Sequence, residues 1–169
     1  NYASAGIGSS LHLSAELFKT LAGVDLVHVP YKGAPGLTDL IAGVVQLSFA
    51  GVSQCLPQIR SVRLRGLAVT GAKRSTEVPE LPTVAESGLP NYEVTDWYGV
   101  LAPAGTPASL ARKLSSAIID VLRIKEVRDR VTAQGLEPLA APPQELADYI
   151  KRDIPKWAAV VKSAGLKPE

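Results

Sequence analysis

The sequence is poor in the residues that build metal and redox centres: its 169 residues include no methionine, one cysteine and two histidines. Cys55 has no second cysteine to pair with, which excludes a disulfide-rich miniprotein and a CxxC redox pair. His12 and His28 are too few for a metal site made of histidines, and structural zinc is set aside. We expect neither a metal nor a cofactor.

Charge and apolar content argue against two further classes. The 18 basic and 16 acidic side chains leave a formal net charge of +2, and the densest basic cluster, Arg60, Arg63 and Arg65, is interrupted by apolar residues. This pattern does not favour nucleic-acid binding, which needs a continuous basic surface. No apolar run reaches the roughly 18 residues of a membrane-spanning helix. With 46% hydrophobic and 20% charged residues, the composition is that of a soluble globular protein with one core or two small lobes.

The first hundred residues alternate between short apolar runs and helical periodicity. The spacing of Leu11, Ala15 and Phe18 gives the first helix one apolar face, and Gly23 is its expected stop. Strands separated by helices in this rhythm predict parallel βαβ units and therefore an α/β fold. The predicted strands are 1–4, 26–29, 45–50, 65–70 and 98–102, and the predicted helices are 9–23, 34–43 and 53–60.

The second half of the chain has a different character. Prolines and glycines punctuate residues 71–93, which predicts an irregular connection with a short helix at 83–87. Beyond Pro103 we predict three helices, with Pro155 kinking or dividing the last of them. These helices carry apolar stripes but have one weak strand to cover, so they pack on the early sheet or belong to a sheet outside this chain. The three helices start at Thr106, Val127 and Pro143, and the weak strand is 137–139.

The first candidate binding site is a Gly/Ser-rich turn, SAGIGSS, between the first strand and the first helix. Its free backbone amides lie at the positive end of the helix dipole, where a carboxylate fits. A dinucleotide fingerprint is matched only in part, because Leu11 stands where the third small residue belongs. The alternative is a tight turn that merely caps the helix, since caps and turns favour the same residues. The candidate ligand-binding residues are Ser4, Ala5, Gly6, Gly8, Ser9 and Ser10.

Two further strand-to-helix turns are expected at the same edge of the parallel sheet. HVPYKGAPG offers the ring and hydroxyl of Tyr31 and the charge of Lys32, while AGVS offers small residues that leave room for a ligand. Lys32 is equally well explained as a solvated surface charge, and His28 as a packed core residue. The residues predicted to bind from these turns are Pro30, Tyr31, Lys32, Gly33, Ala50 and Gly51.

No pattern in the sequence points to catalysis. We interpret His12 and Glu16 as an ordinary i, i+4 surface pair, and we find no nucleophile elbow, HExxH motif or paired carboxylates. Trp97 and Tyr98 precede a glycine and would gate a cleft, although core packing is the commoner explanation. We expect no enzyme and no catalytic residues. An α/β module or enzyme that binds a nucleotide or a phosphorylated ligand stays open as the alternative.

Long stretches of the sequence resemble one family of receptors. The run YASAGIGSSLHLSAELFKTLAGVDLVHVPYKGAPGLTDLIAGVVQLSFA and the segments AVTGAKR, PTVAESGLP and LAPAGTP are similar to the substrate-binding proteins of tripartite tricarboxylate transporters, also called the Bug family. The similarity covers essentially all 169 residues in one register.

The resemblance implies a periplasmic, extracytoplasmic solute receptor with two α/β lobes of the periplasmic-binding-protein type. Such receptors close on a small carboxylated ligand and pass it to membrane permease subunits. Each lobe contributes one loop to the ligand carboxylate, partly through ordered water, and the matching loop here is Ser4 to Ser10. Many relatives carry an acidic residue and an asparagine near Ala50 and Gly51, so this chain lacks their basis for preferring an amino acid's ammonium group.

The resemblance also implies that the chain is one part of a receptor. Relatives have a long segment before the position of Asn1, including the leader and most of the first lobe, so we interpret Asn1 as a processed or truncated start. Residues 1–98 then form the second, ligand-binding lobe, and 99–169 the crossover and helical C-terminal segment of the first lobe. We expect these residues alone to bind ligand weakly or undetectably, and their late helices to expose apolar faces or form a dimer.

Overall fold

A computed structural model of the chain describes residues 1–32 and 36–166. Strands and helices alternate through the first 60 residues, and helices follow from residue 108 onward. The elements are β1 (Tyr2–Ser4), α1 (Ser10–Ala22), β2 (His28–Pro30), α2 (Leu37–Ile41), β3 (Leu47–Ser48), α3 (Val52–Arg60), α4 (Ala108–Arg123), α5 (Lys125–Thr132) and α6 (Pro143–Ser163).

The chain divides into two compact units. One contains Asn1–Asp96 together with the chain from Trp157 onward, and the other is Trp97–Lys156. Helix α6 is therefore shared, its first part lying in the second unit and its last part in the first. The assignment of 99–169 to the first lobe of a receptor stays a prediction.

The three strands form one parallel sheet in the order β2-β1-β3. Ser4 lies opposite Pro30, and Ala3 lies opposite Ser48, so all three strands end at the same edge. Helix α1 connects β1 to β2, and α2 connects β2 to β3, as expected for parallel neighbours that need a crossover. The predicted α/β architecture with a parallel sheet is confirmed.

Helix α1 follows the signals of its own sequence. The Ser9 side chain accepts a hydrogen bond from the backbone N–H of His12, which satisfies one of the free amides of the first turn. Gly23 adopts the left-handed conformation (φ 64°), and its N–H donates to the carbonyl of Lys19. The predicted start and stop of this helix are therefore confirmed.

Two groups of buried side chains form the core of the first unit. Tyr2 and Ala3 of the central strand are fully buried. A second cluster is formed by Val84, Tyr92 and Val94, against which Phe18 and other side chains pack. The hydroxyl of Tyr92 donates to the carbonyl of Ser14 (3.1 Å), which ties the irregular segment to α1.

Four smaller secondary-structure predictions are wrong. Residues 65–70 form only an isolated parallel bridge, Val69 to Thr83, and residues 98–102 and 137–139 form no strand in the described chain. At 83–87 the chain makes a hydrogen-bonded turn rather than a helix, because Gly88 (φ 114°) follows at once. Helix α6 is continuous through Pro155, so the proline does not divide it, and the alternative of a kink at Pro155 stays a prediction.

The second unit exposes part of its apolar side chains. Leu110, Leu114, Ile118 and Val121 of α4 are between 37% and 49% exposed, which agrees with the expectation that the late helices leave apolar faces open. None of the helices in the described parts of the chain combines the length and the hydropathy that a membrane span requires.

Candidate functional site

The candidate site lies where the parallel strands end. Because Ser4 and Pro30 are register partners, the loop that follows β1 and the turn that follows β2 leave the sheet side by side. The amide of Tyr31 donates to the carbonyl of Ser4 (3.0 Å), which joins the two segments. Ala50 and Gly51 follow β3 at the same edge. Gly33, the remaining predicted residue, lies outside the described residues.

The loop from Ser4 to Ser10, which we call the carboxylate loop, is shaped by its own hydrogen bonds. The amide of Gly6 donates to Ser4 Oγ (3.1 Å), and Ser9 Oγ donates to the carbonyl of Gly6 (2.7 Å). Gly6 (φ 127°) and Gly8 (φ 74°) occupy backbone conformations that favour glycine. The glycines and serines therefore define one particular loop conformation.

Three amides of the carboxylate loop have no protein partner. The N–H groups of Ala5, Ile7 and Ser10 have no acceptor among residues 1–32 and 36–166. They lie beside the N-terminus of a 13-residue helix whose first turn carries no acidic residue. Free amides at the positive end of a helix dipole attract an anion.

The Ser10 hydroxyl, at the end of the carboxylate loop, already donates a hydrogen bond to a carboxylate. It is exposed and donates to Asp96 Oδ2 at 3.2 Å. A carboxylate oxygen therefore fits opposite the Ser10 hydroxyl. Asp96 carries no sequence signal for this contact, because 86 residues separate it from Ser10.

Tyr31 is fixed beside the carboxylate loop. Its hydroxyl donates to Asp39 Oδ2 (2.7 Å), and this hydrogen bond raises the pKa of the Tyr31 phenol. A Cβ at Gly36 (φ 63°) would lie 2.7 Å from the Tyr31 ring and 2.8 Å from the Ala3 Cβ. Only glycine allows this close approach. Pro30 and Lys32 are exposed, so Lys32 is available as the positive charge of this edge.

The third turn begins another helix. Gly51 is the N-cap residue of α3, and its carbonyl accepts from the amides of Gln54 and Cys55. The backbone of Gly51 is extended (φ −62°), so this glycine is not required by its conformation. With Ala50 it keeps the end of β3 free of bulky side chains.

A buried polar cluster lies beneath the carboxylate loop, and the sequence did not predict it. His12 and Glu16 are only 3% and 8% exposed, so the interpretation of this pair as a surface pair is wrong. The His12 and His28 rings stack with centroids 3.9 Å apart and planes inclined by 10°. Glu16 Oε1 accepts from the Tyr2 hydroxyl (2.7 Å) and from Lys19 Nζ (2.8 Å).

Burial sets the ionisation of this cluster. It lowers the pKa of both histidines, and the neighbouring charge of Lys19 lowers them further, while Glu16 opposes the change. Burial alone would raise the pKa of Glu16, but the hydrogen bonds from Lys19 and Tyr2 outweigh it and keep that pKa below its ordinary value. Near neutral pH the two imidazoles are therefore neutral and Glu16 is ionised.

The cluster contains a serine beside a histidine, but the serine hydroxyl is not accessible to a substrate. Ser4 Oγ lies 2.6 Å from His28 Nε2, a nucleophile and base pairing in outline. Ser4 is fully buried, however, so its hydroxyl cannot reach a substrate. No group of three His, Cys, Asp or Glu side chains in residues 1–32 and 36–166 is arranged to hold a metal ion.

The fold with this site is that of a periplasmic binding protein. A solved member of that class superposes on 99% of the chain with a TM-score of 0.79 at 35% identity. Residues 1–166 match the family described as Tripartite tricarboxylate transporter family receptor, and the chain belongs to this family. The family predicted from the sequence is confirmed.

Particular relatives are known from sequence and from structure. BugT of Bordetella pertussis is 37% identical over 98% of this chain and 51% of BugT. R. palustris Rpa4515 with adipate has a TM-score of 0.84 at 38% identity, over 99% of this chain and 56% of Rpa4515. MatC (Rpa3494) from Rhodopseudomonas palustris with bound malate has a TM-score of 0.75 at 32% identity, over 95% of this chain and 55% of MatC. The chain spans about half the length of most of the curated relatives it matches, such as BugT, but 94% of a UPF0065 protein of Pseudomonas knackmussii, to which it is 33% identical.

Proposed function

We propose that this chain supplies the ligand-binding lobe of an extracytoplasmic receptor, which captures a small carboxylate in the periplasm and delivers it to a tripartite tricarboxylate-type permease. The observation that carries the proposal is the carboxylate loop, with the free amides of Ala5 and Ile7 at the N-terminus of α1. Such amides suit an anion without proton transfer or a metal.

The ligand class follows from the donors at this edge. One ligand carboxylate would take the amides of the carboxylate loop and the hydroxyl of Ser10, and would displace the Asp96 oxygen that Ser10 contacts in this structure. Lys32, which is exposed two residues after the end of β2, would attract a second negative group. Adipate and malate, named with the related structures, both carry two carboxylates. A small dicarboxylate is therefore the ligand that this set of donors favours.

Residue-resolved NMR of the ¹⁵N-labelled protein tests the proposal, because it detects weak as well as strong binding. Adipate and malate are expected to shift the amide signals of Ala5, Ile7 and Ser10. ATP and inorganic phosphate serve as comparison anions. Shifts with ATP alone would favour a nucleotide-binding module, and carboxylate shifts confined to other segments would contradict the assigned site.

Two substitutions identify the side-chain donors. Each charge-assisted hydrogen bond contributes about 1.5 to 3 kcal/mol, so Ser10→Ala and Lys32→Gln are each expected to weaken dicarboxylate binding roughly tenfold or more. The matched controls are Thr20→Ala, near the C-terminal end of α1, and Arg60→Gln, in the last turn of α3. Equal losses in the variants and their controls would contradict the proposed roles.

A further inference from the structure

His12 holds the carboxylate loop at two points. Its ring atom Nδ1 accepts a hydrogen bond from the amide of Gly8 at 3.0 Å. Its backbone N–H donates to Ser9 Oγ at 3.3 Å, and Ser9 Oγ in turn donates to the carbonyl of Gly6. His12 is therefore in direct contact with the segment that carries the free amides of Ala5 and Ile7.

The Gly8 contact requires a neutral imidazole. Nδ1 accepts only when its lone pair is free, which places the single ring proton on Nε2. Nε2 lies 3.8 Å from Glu16 Oε1. When the ring gains a second proton, Nδ1 becomes a donor that faces the Gly8 donor, and the contact is lost.

The surroundings of His12 favour its neutral form. Tyr2 from β1, His28 from β2, and Glu16 and Lys19 from α1 are the titratable groups around it. His12 lies in the first turn of α1, where the helix dipole disfavours a positive charge. Its burial acts in the same direction, and of these groups only Glu16 favours the charged ring.

We propose that His12 is a positioning residue for ligand binding: its neutral imidazole fixes Gly8 and so presents the amides of Ala5 and Ile7, and protonation of the ring releases the loop. This role deepens the proposed carboxylate binding and rests on it. The affinity for a dicarboxylate then falls as the medium becomes acidic.

His28 provides an internal comparison. Its Nε2 contacts Ser4 Oγ at 2.6 Å. A hydroxyl can donate to a neutral ring or accept from a protonated one, so this contact survives protonation of His28. The two stacked histidines are thus expected to affect the loop differently, although both belong to the same cluster.

The first experiment follows the loop without any ligand. Histidine ring signals and the Gly8 amide are recorded by NMR from pH 8 down to the acid limit of the fold. The Gly8 amide is expected to shift with the same midpoint as the His12 ring. An amide that follows His28 instead, or that does not change while His12 titrates, would overturn the proposal.

The second experiment measures dicarboxylate affinity against pH in the protein and its variants. His12→Asn retains an acceptor near the Nδ1 position but does not titrate, whereas His12→Ala retains none. Loss of one hydrogen bond corresponds to roughly a tenfold change in affinity. We expect His12→Ala to bind about tenfold more weakly and His12→Asn to recover most of that loss. In both variants the acid-dependent decrease should be reduced to the part that comes from protonation of the ligand itself. His28→Gln is expected to keep the decrease.

The two experiments separate failure of this inference from failure of the proposed function. If the wild-type protein and His12→Asn lose affinity in parallel on acidification, the decrease comes from the ligand or another group, and His12 has no positioning role. If no dicarboxylate binds at any pH, either to this chain or to a longer receptor that contains it, the proposed function fails, and the Gly8 titration still decides whether His12 controls the loop.

Discussion

The imidazole rings of His12 and His28 stack in parallel, 3.9 Å apart, between the central strand and helix α1. Two rings in such contact cannot both gain a proton without repulsion, and the charge of His12 lowers the pKa of His28. The pair therefore links the acid stability of the fold to the state of the loop above it.

Acid is expected to destabilise the protein through these two histidines. Both pKa values are lowered in the folded state, so the unfolded chain binds more protons once the pH falls below the ordinary histidine value of about 6.5. The stabilising contribution of the two neutral histidines is thus complete above that pH and is lost as the pH falls. The slope of the unfolding free energy against pH corresponds to up to about one extra bound proton per ring in the unfolded chain. Urea titrations between pH 8 and pH 5 measure this slope. A His12→Asn, His28→Gln double variant should show a clearly smaller slope; an unchanged slope would contradict the assignment.

The carboxylate of Glu16 is expected to matter more than exposed acids at the same helical spacing. Glu16→Gln loses the ion pair with Lys19 in a buried setting and changes the partner of the Tyr2 hydroxyl, so we expect a loss of roughly 1 to 3 kcal/mol in unfolding free energy. Asp120→Asn breaks an exposed i, i+3 pair with Arg123 and should change stability by less than about 0.5 kcal/mol. Urea denaturation of both variants gives the comparison. Similar losses would show that the Glu16 network is not special.

Gly36→Ala tests the close packing beside the carboxylate loop. The new Cβ would clash with the Tyr31 ring and the Ala3 Cβ, in addition to adopting a positive φ. We expect a loss of about 2 to 4 kcal/mol, of which roughly 1 kcal/mol comes from the backbone conformation. Gly43→Ala has a similar φ (76°) but no atom within 4 Å, so it isolates the backbone part. Equal effects in thermal or urea unfolding would rule out the packing contribution.

The Tyr92 hydroxyl is expected to stabilise the contact between the irregular segment and α1. Tyr92 is 1% exposed, and Tyr92→Phe leaves the carbonyl of Ser14 without this donor. The expected loss is about 1 kcal/mol of unfolding free energy. Tyr98→Phe, at a residue 81% exposed, is the control and should be nearly neutral. Urea unfolding of the two variants would contradict the prediction if Tyr98→Phe were the more damaging change.

The expected strands at 65–70 and 98–102 show where sequence patterns are insufficient. Both segments contain the apolar residues that strands favour, yet residues 65–70 form one bridge and Val100 and Leu101 are 73% and 75% exposed. A strand forms only when a partner supplies the hydrogen bonds of its backbone. That partner is distant in sequence, so an apolar run alone does not determine it.

Local signals along the chain are sufficient to predict the bounds of α1 through Ser9 and Gly23, the glycine-rich loop after β1, and the motifs that define its family. Cap and turn residues act on neighbours within a few positions, so they can be read directly. The burial of His12 and Glu16, the stacking of His28 on His12, and the contact between Asp96 and Ser10 depend instead on how the elements pack together. These contacts join residues from different elements, and burial in the assembled fold, rather than spacing along the chain, sets their charge and their role.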